Sequence, residues 1–144
     1  MAKSISVEGL VLPNKPLTNF ELMDAVEKLK ILRFRGVFMR NNLPPKPRKR
    51  ECGIFNLDDT SSRGTHWVAW YKNNKDKFYF DSFGVQPPNE LIEYLHSPIF
   101  YNTERIQPNG QVFCGHLCLY VLCRLSRGEI LQEIINDLYK KKNS

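Results

Sequence analysis

One stretch decides the fold: Ile106-Gln-Pro-Asn-Gly-Gln-Val-Phe-Cys-Gly-His-Leu-Cys-Leu-Tyr-Val-Leu-Cys123, in which a polar loop leads into an apolar helix. Cys114 lies at the junction, where the unpaired N–H groups and the positive dipole end of a helix favour a thiolate. The residues that follow are apolar on most sides, which predicts a helix enclosed by protein. Taken alone, a cysteine is more often an inert packing residue, so the case for chemistry depends on the rest of the chain.

Length and composition indicate one globular domain. The 144 residues suffice for a single core, and we predict one domain over 1–144. No apolar run reaches the length of a membrane span, and the N-terminus lacks the apolar core of a secretory signal. We therefore expect an intracellular protein that is not secreted and has no membrane partner. We also expect a monomer, although nothing in the sequence distinguishes it from a dimer. The net charge of +6 favours acidic partners, nucleic acid first.

The four cysteines predict free thiols. Cys114 and Cys118 are one helical turn apart, which is a poor geometry for a disulfide. Together with His116 and Cys123 they could supply four zinc ligands, but closed zinc sites use closely spaced pairs in turns. These side chains would point around a helix, so we expect no metal.

The remaining patterns predict an α+β fold, with a central mixed or antiparallel sheet packed against the buried Cys114 helix and flanked by other helices. After an irregular start, Thr18 and Glu21 form a capping box. The predicted helices cover 19–30, 89–95, the stretch from Cys114 to Gly128, and a last helix from Ile130. The predicted strands cover 51–56, 66–71 and 77–83, with 31–39 and 100–106 as further candidates.

A proline-rich loop, Leu43-Pro-Pro-Lys-Pro-Arg-Lys-Arg50, precedes the sheet. Its prolines cannot continue a helix or a central strand, which predicts an exposed connector. Its basic residues are also a candidate DNA-binding or nuclear-import patch. They are Lys46, Arg48, Lys49 and Arg50.

The hairpin predicts a catalytic pair. If its turn is centred on Asn74-Lys75, then His66 and Asp81 are diagonal neighbours on one face of the sheet. A carboxylate that holds a histidine leaves the other ring nitrogen free for a thiol, and Cys114 supplies one. The side chain of Gln107, with the backbone N–H of Cys114, could form an oxyanion hole, and Gln111 is the rival donor.

Three motifs combine these residues: Gly64-Thr-His-Trp-Val-Ala-Trp70, Asp81-Ser-Phe-Gly84 and Gln107-Pro-Asn-Gly-Gln-Val-Phe-Cys-Gly-His-Leu-Cys118. They resemble the motifs of the adenovirus protease (adenain) family, which includes relatives in virophages and Polinton/Maverick elements. The resemblance spans Glu51 to Leu125 and extends more loosely to ubiquitin-like-protein proteases.

The resemblance implies a cysteine endopeptidase that cleaves capsid or core precursors near small Gly-containing sites during virion maturation. Its place would be the host nucleus or a cytoplasmic viral factory, and the virion. Carried over to this chain, Cys114 is the nucleophile, His66 the base, Asp81 its orienter and Gln107 the oxyanion donor. The chemistry needs no cofactor, although the resemblance allows activation by DNA or a peptide.

Two other functions stay open from the sequence. The same site could process or deconjugate a ubiquitin-like protein after a Gly-Gly tail. Alternatively, the chain could be a basic protein without catalytic activity that binds nucleic acid. The second function leaves the grouping of His66, Asp81 and Cys114 unexplained.

Overall fold

The computed structural model describes residues 4–58, 66–106 and 113–142, with side chains up to Lys140. The strands are β1 (Ser4–Val7), β2 (Leu10–Pro13), β3 (Phe34–Met39), β4 (Arg50–Asn56), β5 (Trp67–Asn73), β6 (Asp76–Phe80) and β7 (Phe100–Tyr101). The helices are α1 (Asn19–Leu29), α2 (Asn89–Leu95), α3 (Cys114–Ser126) and α4 (Leu131–Lys142). In these described ranges no helix has the length and apolar run that a bilayer crossing needs.

Five strands form one mixed sheet in the order β3-β4-β5-β6-β7. The two outer pairs run parallel, and the pairs that β5 makes with β4 and β6 run antiparallel. β5 is therefore the central strand, bonded along both edges. This arrangement confirms the predicted α+β fold with a central mixed sheet.

Both faces of the sheet are covered. Side chains alternate between the faces, so that Ile54 and Ala69 join the core beneath α1, α3 and α4. Phe55 and Trp70 point the other way, into a second core that includes residues of α2. This double coverage explains why the central strands are apolar at most positions in the sequence.

Helix α3 is enclosed as predicted, since nine of its 13 residues are buried. Gly115 allows its first turn to pack closely. A Cβ at that position would lie 3.3 Å from side-chain atoms of Leu22 and Trp67. The start of α3 is thus fixed between α1 and β5, which makes it a rigid mount for Cys114.

The capping box that begins α1 is present. The backbone N–H of Glu21 donates to Thr18 Oγ1 at 3.1 Å, and the Thr18 N–H donates to Glu21 Oε1 at 2.9 Å. Two orphan donors of the first turn are thereby satisfied. The helix ends at Leu29, one residue before the predicted end.

The prediction of an irregular N-terminal segment was wrong. Strands β1 and β2 form an antiparallel hairpin, and its two-residue loop is Glu8-Gly9, with φ of 48° and 87°. Positive φ at both central positions is typical of the turn that matches the twist of a hairpin. Val7 and Leu12 bury the inner face of this hairpin against the main core.

The candidate strand over 100–106 is also shorter than predicted. Only Phe100–Tyr101 pairs with β6. The chain then leaves the strand path because Asn102, which is 2% exposed, turns its side chain towards the backbone of Asp81.

Candidate active site

The hairpin of β5 and β6 has the register that the sequence predicted. Tyr71 lies opposite Phe78, across a loop centred on Asn74-Lys75. His66 precedes β5 and Asp81 follows β6, so their side chains meet at the same edge. The distance from His66 Nε2 to Asp81 Oδ1 is 2.7 Å.

The carboxylate of Asp81 is held in place by its own turn. The N–H of Phe83 donates to Asp81 Oδ1 at 2.8 Å, and the side chain of Asp81 is 1% exposed. Asn102 binds both backbone groups of Asp81: its Nδ2 donates to Asp81 O at 2.7 Å, and its Oδ1 accepts from Asp81 N at 3.2 Å. Such fixed partners orient the carboxylate towards the imidazole.

Cys114 opens α3 at the same place. The backbone N–H of Trp67 donates to Cys114 Sγ at 3.4 Å. Cys114 acts to raise the pKa of His66, so its sulfur lies within electrostatic reach of the imidazole. Since Nε2 is committed to Asp81, Nδ1 is the nitrogen available to the sulfur. The predicted grouping of His66, Asp81 and Cys114 is therefore present in the geometry.

The protonation of His66 suits this grouping. Burial of the ring lowers its pKa, but the hydrogen bond to Asp81 and the nearby Cys114 outweigh that effect and raise the pKa to about 9. The ring is consequently an imidazolium at neutral pH. An imidazolium can give its proton to a leaving group, which is the role that a histidine beside a nucleophile has in covalent catalysis.

The other three cysteines lie in surroundings that keep their thiols protonated. Burial raises the pKa of Cys52 to about 12, that of Cys123 to about 11, and that of Cys118 well above the ordinary range. All four cysteines are free. Cys114 is therefore the thiol best placed to react.

Phe83 and Arg105 support the ring of His66, and the sequence did not reveal this role. The rings of Phe83 and His66 are stacked, with centroids 4.2 Å apart and planes 7° from parallel. The guanidinium of Arg105 lies 4.7 Å from the centroid of Phe83, on its face. The stack restricts rotation of the imidazole. Its only sequence signal was the position of Phe83 two residues after Asp81.

The other predicted residues lie either outside the described residues or on the exposed basic loop and the start of β4. Gln107 and its rival Gln111 lie outside the described residues, so the predicted oxyanion donor stays a prediction. The loop residues Lys46, Arg48 and Lys49 are exposed, and Arg50 is exposed at the start of β4.

Comparisons with known proteins find similarity in fold. No family model matches the sequence, and no curated protein matches it either. Among solved structures, the chain is similar to two crystal structures of the ASFV pS273R protease, one with selenomethionine. Both are 18% identical, with TM-scores of 0.59 and 0.60, and the alignments cover 90% of this chain. They cover 66% and 67% of those chains, so this chain spans about two thirds of their length. At this identity the likeness shows that the fold is shared.

Proposed function

We propose that the chain is a cysteine endopeptidase in which Cys114 is the nucleophile, His66 the general acid and base, and Asp81 the orienting carboxylate. One observation carries the proposal: His66 Nε2 lies 2.7 Å from Asp81 Oδ1, and the N–H of the next residue, Trp67, donates to Cys114 Sγ at 3.4 Å. A nucleophile, a base and an orienting carboxylate brought to one place are the arrangement that covalent catalysis requires. The fold shared with a viral protease supports the same conclusion.

In the proposed mechanism, the Cys114 thiolate attacks the carbonyl carbon of a peptide bond, and a C–S bond forms as the oxygen becomes an oxyanion. The backbone N–H of Cys114 and the side-chain amide of Gln107 donate to that oxygen. When the intermediate collapses, the C–N bond breaks and His66 gives its proton to the leaving amine. Water then attacks the thioester and His66 takes a proton from it; the C–S bond breaks, the carboxylic acid leaves, and Cys114 returns to a thiolate beside the imidazolium.

We propose capsid or core precursors of a virus or mobile element as substrates, cut near small Gly-containing sites. The resemblance of the three sequence motifs supports this choice. Processing after the Gly-Gly tail of a ubiquitin-like protein would use the same chemistry and a different docking surface. DNA is a proposed activator through the exposed Lys46, Arg48, Lys49 and Arg50, and a strongly salt-dependent activation would support it.

The test combines thiol labelling with a cleavage assay. Iodoacetamide at pH 6 should add one carboxamidomethyl group, on Cys114, because burial raises the pKa values of the other three thiols far above the labelling pH. The protein should also generate new termini in a proteome-derived peptide library, read by mass spectrometry. Cys114→Ala should abolish those termini, a loss of about 10³-fold or more.

The matched control is Cys123→Ala, which removes a buried thiol near the C-terminal end of α3, at the other end of the helix from Cys114. This variant should keep full cleavage. Equal cleavage by the Cys114→Ala protein would refute the mechanism. Labelling of Cys114 by a ubiquitin-like vinyl sulfone, with no cleavage of the library, would favour the deconjugating enzyme instead.

A further inference from the structure

A cavity of about 290 Å³ lies at the opposite end of α3 from Cys114. One wall is the C-terminal end of the helix, at Ser126 to Gly128. The other wall is built by the chain before β3, by the start of β4 and by the end of β5. A helix of 13 residues rises by about 18 Å, so a molecule in this cavity would not touch the nucleophile.

The cavity is lined by positive charge. Arg33, Arg50, Lys72 and Arg127 all contribute to its wall. Within the described residues, neither Arg33 nor Arg50 has an ion pair with a carboxylate, and both side chains are exposed. Arg127 pairs with Glu8 at 3.0 Å but is 56% exposed. The two unpaired arginines are available to an anion.

The acidic residue on the wall, Glu51, does not neutralise this charge. Its carboxylate is committed elsewhere: Oε1 accepts from Arg35 Nη1 at 2.9 Å, and Oε2 accepts from Trp70 Nε1 at 2.8 Å. Tyr94 donates its hydroxyl to the same Oε2 at 2.6 Å, and the carboxylate is fully buried. An anion in the cavity therefore meets little repulsion from it.

Tyr71 adds a hydroxyl to the same wall. Burial raises the pKa of Tyr71, while Arg33 and Arg50 act to lower it, so both guanidinium groups lie within electrostatic reach of this hydroxyl. Arg33 also has a φ of 60°, a left-handed conformation that is unusual for an arginine. A backbone conformation of this kind persists where the surroundings hold it, and it often accompanies a binding site.

We propose that this cavity binds the phosphate groups of a compact ligand, such as a di- or triphosphate. Arginine forks match the oxygen geometry of phosphate, and a tyrosine hydroxyl can donate to the same group. The C-terminal end of α3 opposes an anion with about half an elementary charge, which the nearby guanidinium charges exceed. The small volume favours a compact ligand over a nucleic-acid duplex, which would contact a much larger surface.

The test is isothermal titration calorimetry of the whole chain with inorganic tripolyphosphate at about 0.15 M salt. We expect saturable binding of one molecule per chain. The double variant Arg33→Gln, Arg50→Gln should weaken binding by about tenfold or more. The control Lys46→Gln, Lys49→Gln removes the same charge from the exposed loop and should stay within about twofold of the parent protein.

The variants separate a built site from a charge effect. The substituted side chains are exposed, so the melting temperatures of the variants should match that of the parent protein. Arg50→Lys is a second variant, which keeps the positive charge at position 50 but loses the forked guanidinium group. Equal weakening in both double variants, or no saturable heat, would overturn the proposal. Binding of hexaglutamate as tightly as tripolyphosphate would also overturn it. If an oligothymidylate binds more tightly than tripolyphosphate, and this binding depends on Lys46 and Lys49, the ligand is a nucleic-acid backbone and the proposal of a compact ligand is wrong. Iodoacetamide labelling of Cys114 is measured in parallel, so a failure here is distinct from a failure of the protease proposal.

Discussion

At the residue scale, the negative charge of Asp81 is what keeps His66 protonated. In Asp81→Asn, an amide oxygen can still accept from His66 Nε2 and from the N–H of Phe83, which lie 2.7 and 2.8 Å from Oδ1. The geometry should survive, but the pKa of His66 should fall because the charge that raised it is gone. The thiolate of Cys114 then loses its cationic partner at mildly acidic pH.

We therefore expect alkylation of Cys114 by iodoacetamide to slow by about 10- to 100-fold at pH 6 in Asp81→Asn, with a smaller loss at pH 8.5. Intact-mass kinetics across this range measure the profile. Peptide cleavage should fall as well, while a residual rate remains because orientation is impaired and not removed. An unchanged pH profile would mean that Asp81 only packs beside the ring.

Counting residues was enough to predict the contact of His66 with Asp81, because a two-residue loop fixes the register of β5 and β6. Counting could not predict Asn102 as the clamp of Asp81. Its partner is 21 residues away, and the contact depends on a parallel return of the chain beside β6. The stacking of Phe83 on His66 depends likewise on how the turn after β6 folds.

At the element scale, the turn after β6 requires a glycine at position 84. Gly84 has φ of 72°, and a Cβ there would lie 2.5 Å from the carbonyl oxygen of Thr103 and 2.9 Å from that of Glu104. Both contacts are backbone atoms, so the turn or the segment after β7 must shift. The same turn carries Asp81, whose carbonyl accepts from the Gly84 N–H at 2.8 Å.

Gly84→Ala should therefore destabilise the protein by about 3 kcal/mol or more, from backbone strain and overlap together, and should also slow Cys114 alkylation. Gly9→Ala is the matched control, because Gly9 has φ of 87° but nothing within 4 Å of an added Cβ. It should cost about 1 kcal/mol and leave the alkylation rate unchanged. Urea unfolding measures the stability of both variants. Equal losses of unfolding free energy in the two variants would show that crowding at position 84 is unimportant.

The N-terminal hairpin marks where element prediction failed. Glu8-Gly9 is a less distinctive loop than Asn-Gly or Asp-Gly, and each flanking strand has only four residues. Its stability comes from Val7 and Leu12 packing on the main core. A contact of that kind becomes visible only when the core is assembled. The capping box of α1 was predicted correctly because both of its bonds are local.

At the scale of the whole molecule, the protonation of His66 should make the free energy of unfolding depend on pH. The pKa of His66 rises from 6.5 to about 9 on folding, so the folded chain holds this proton more tightly than the unfolded chain. The resulting stabilisation is fully present below pH 6.5 and is lost as pH rises through 9. With a discount for the partial exposure of the ring, we expect about 1–2 kcal/mol.

Thermal melting between pH 6 and 9.5 can test this in a Cys114→Ala background, where titration of that thiol cannot contribute. The Asp81 hydrogen bond is the stronger of the two contacts that raise the pKa of His66, so much of the effect should remain. The melting temperature should fall by roughly 3–8 °C more than in the same background carrying His66→Gln. The comparison cancels the effect of the overall net charge on stability. With His66 neutral, both chains carry the same net charge of +6, so they differ only in the protonation of His66. Parallel curves for the two proteins would mean that the imidazolium and the buried carboxylate do not stabilise the fold together.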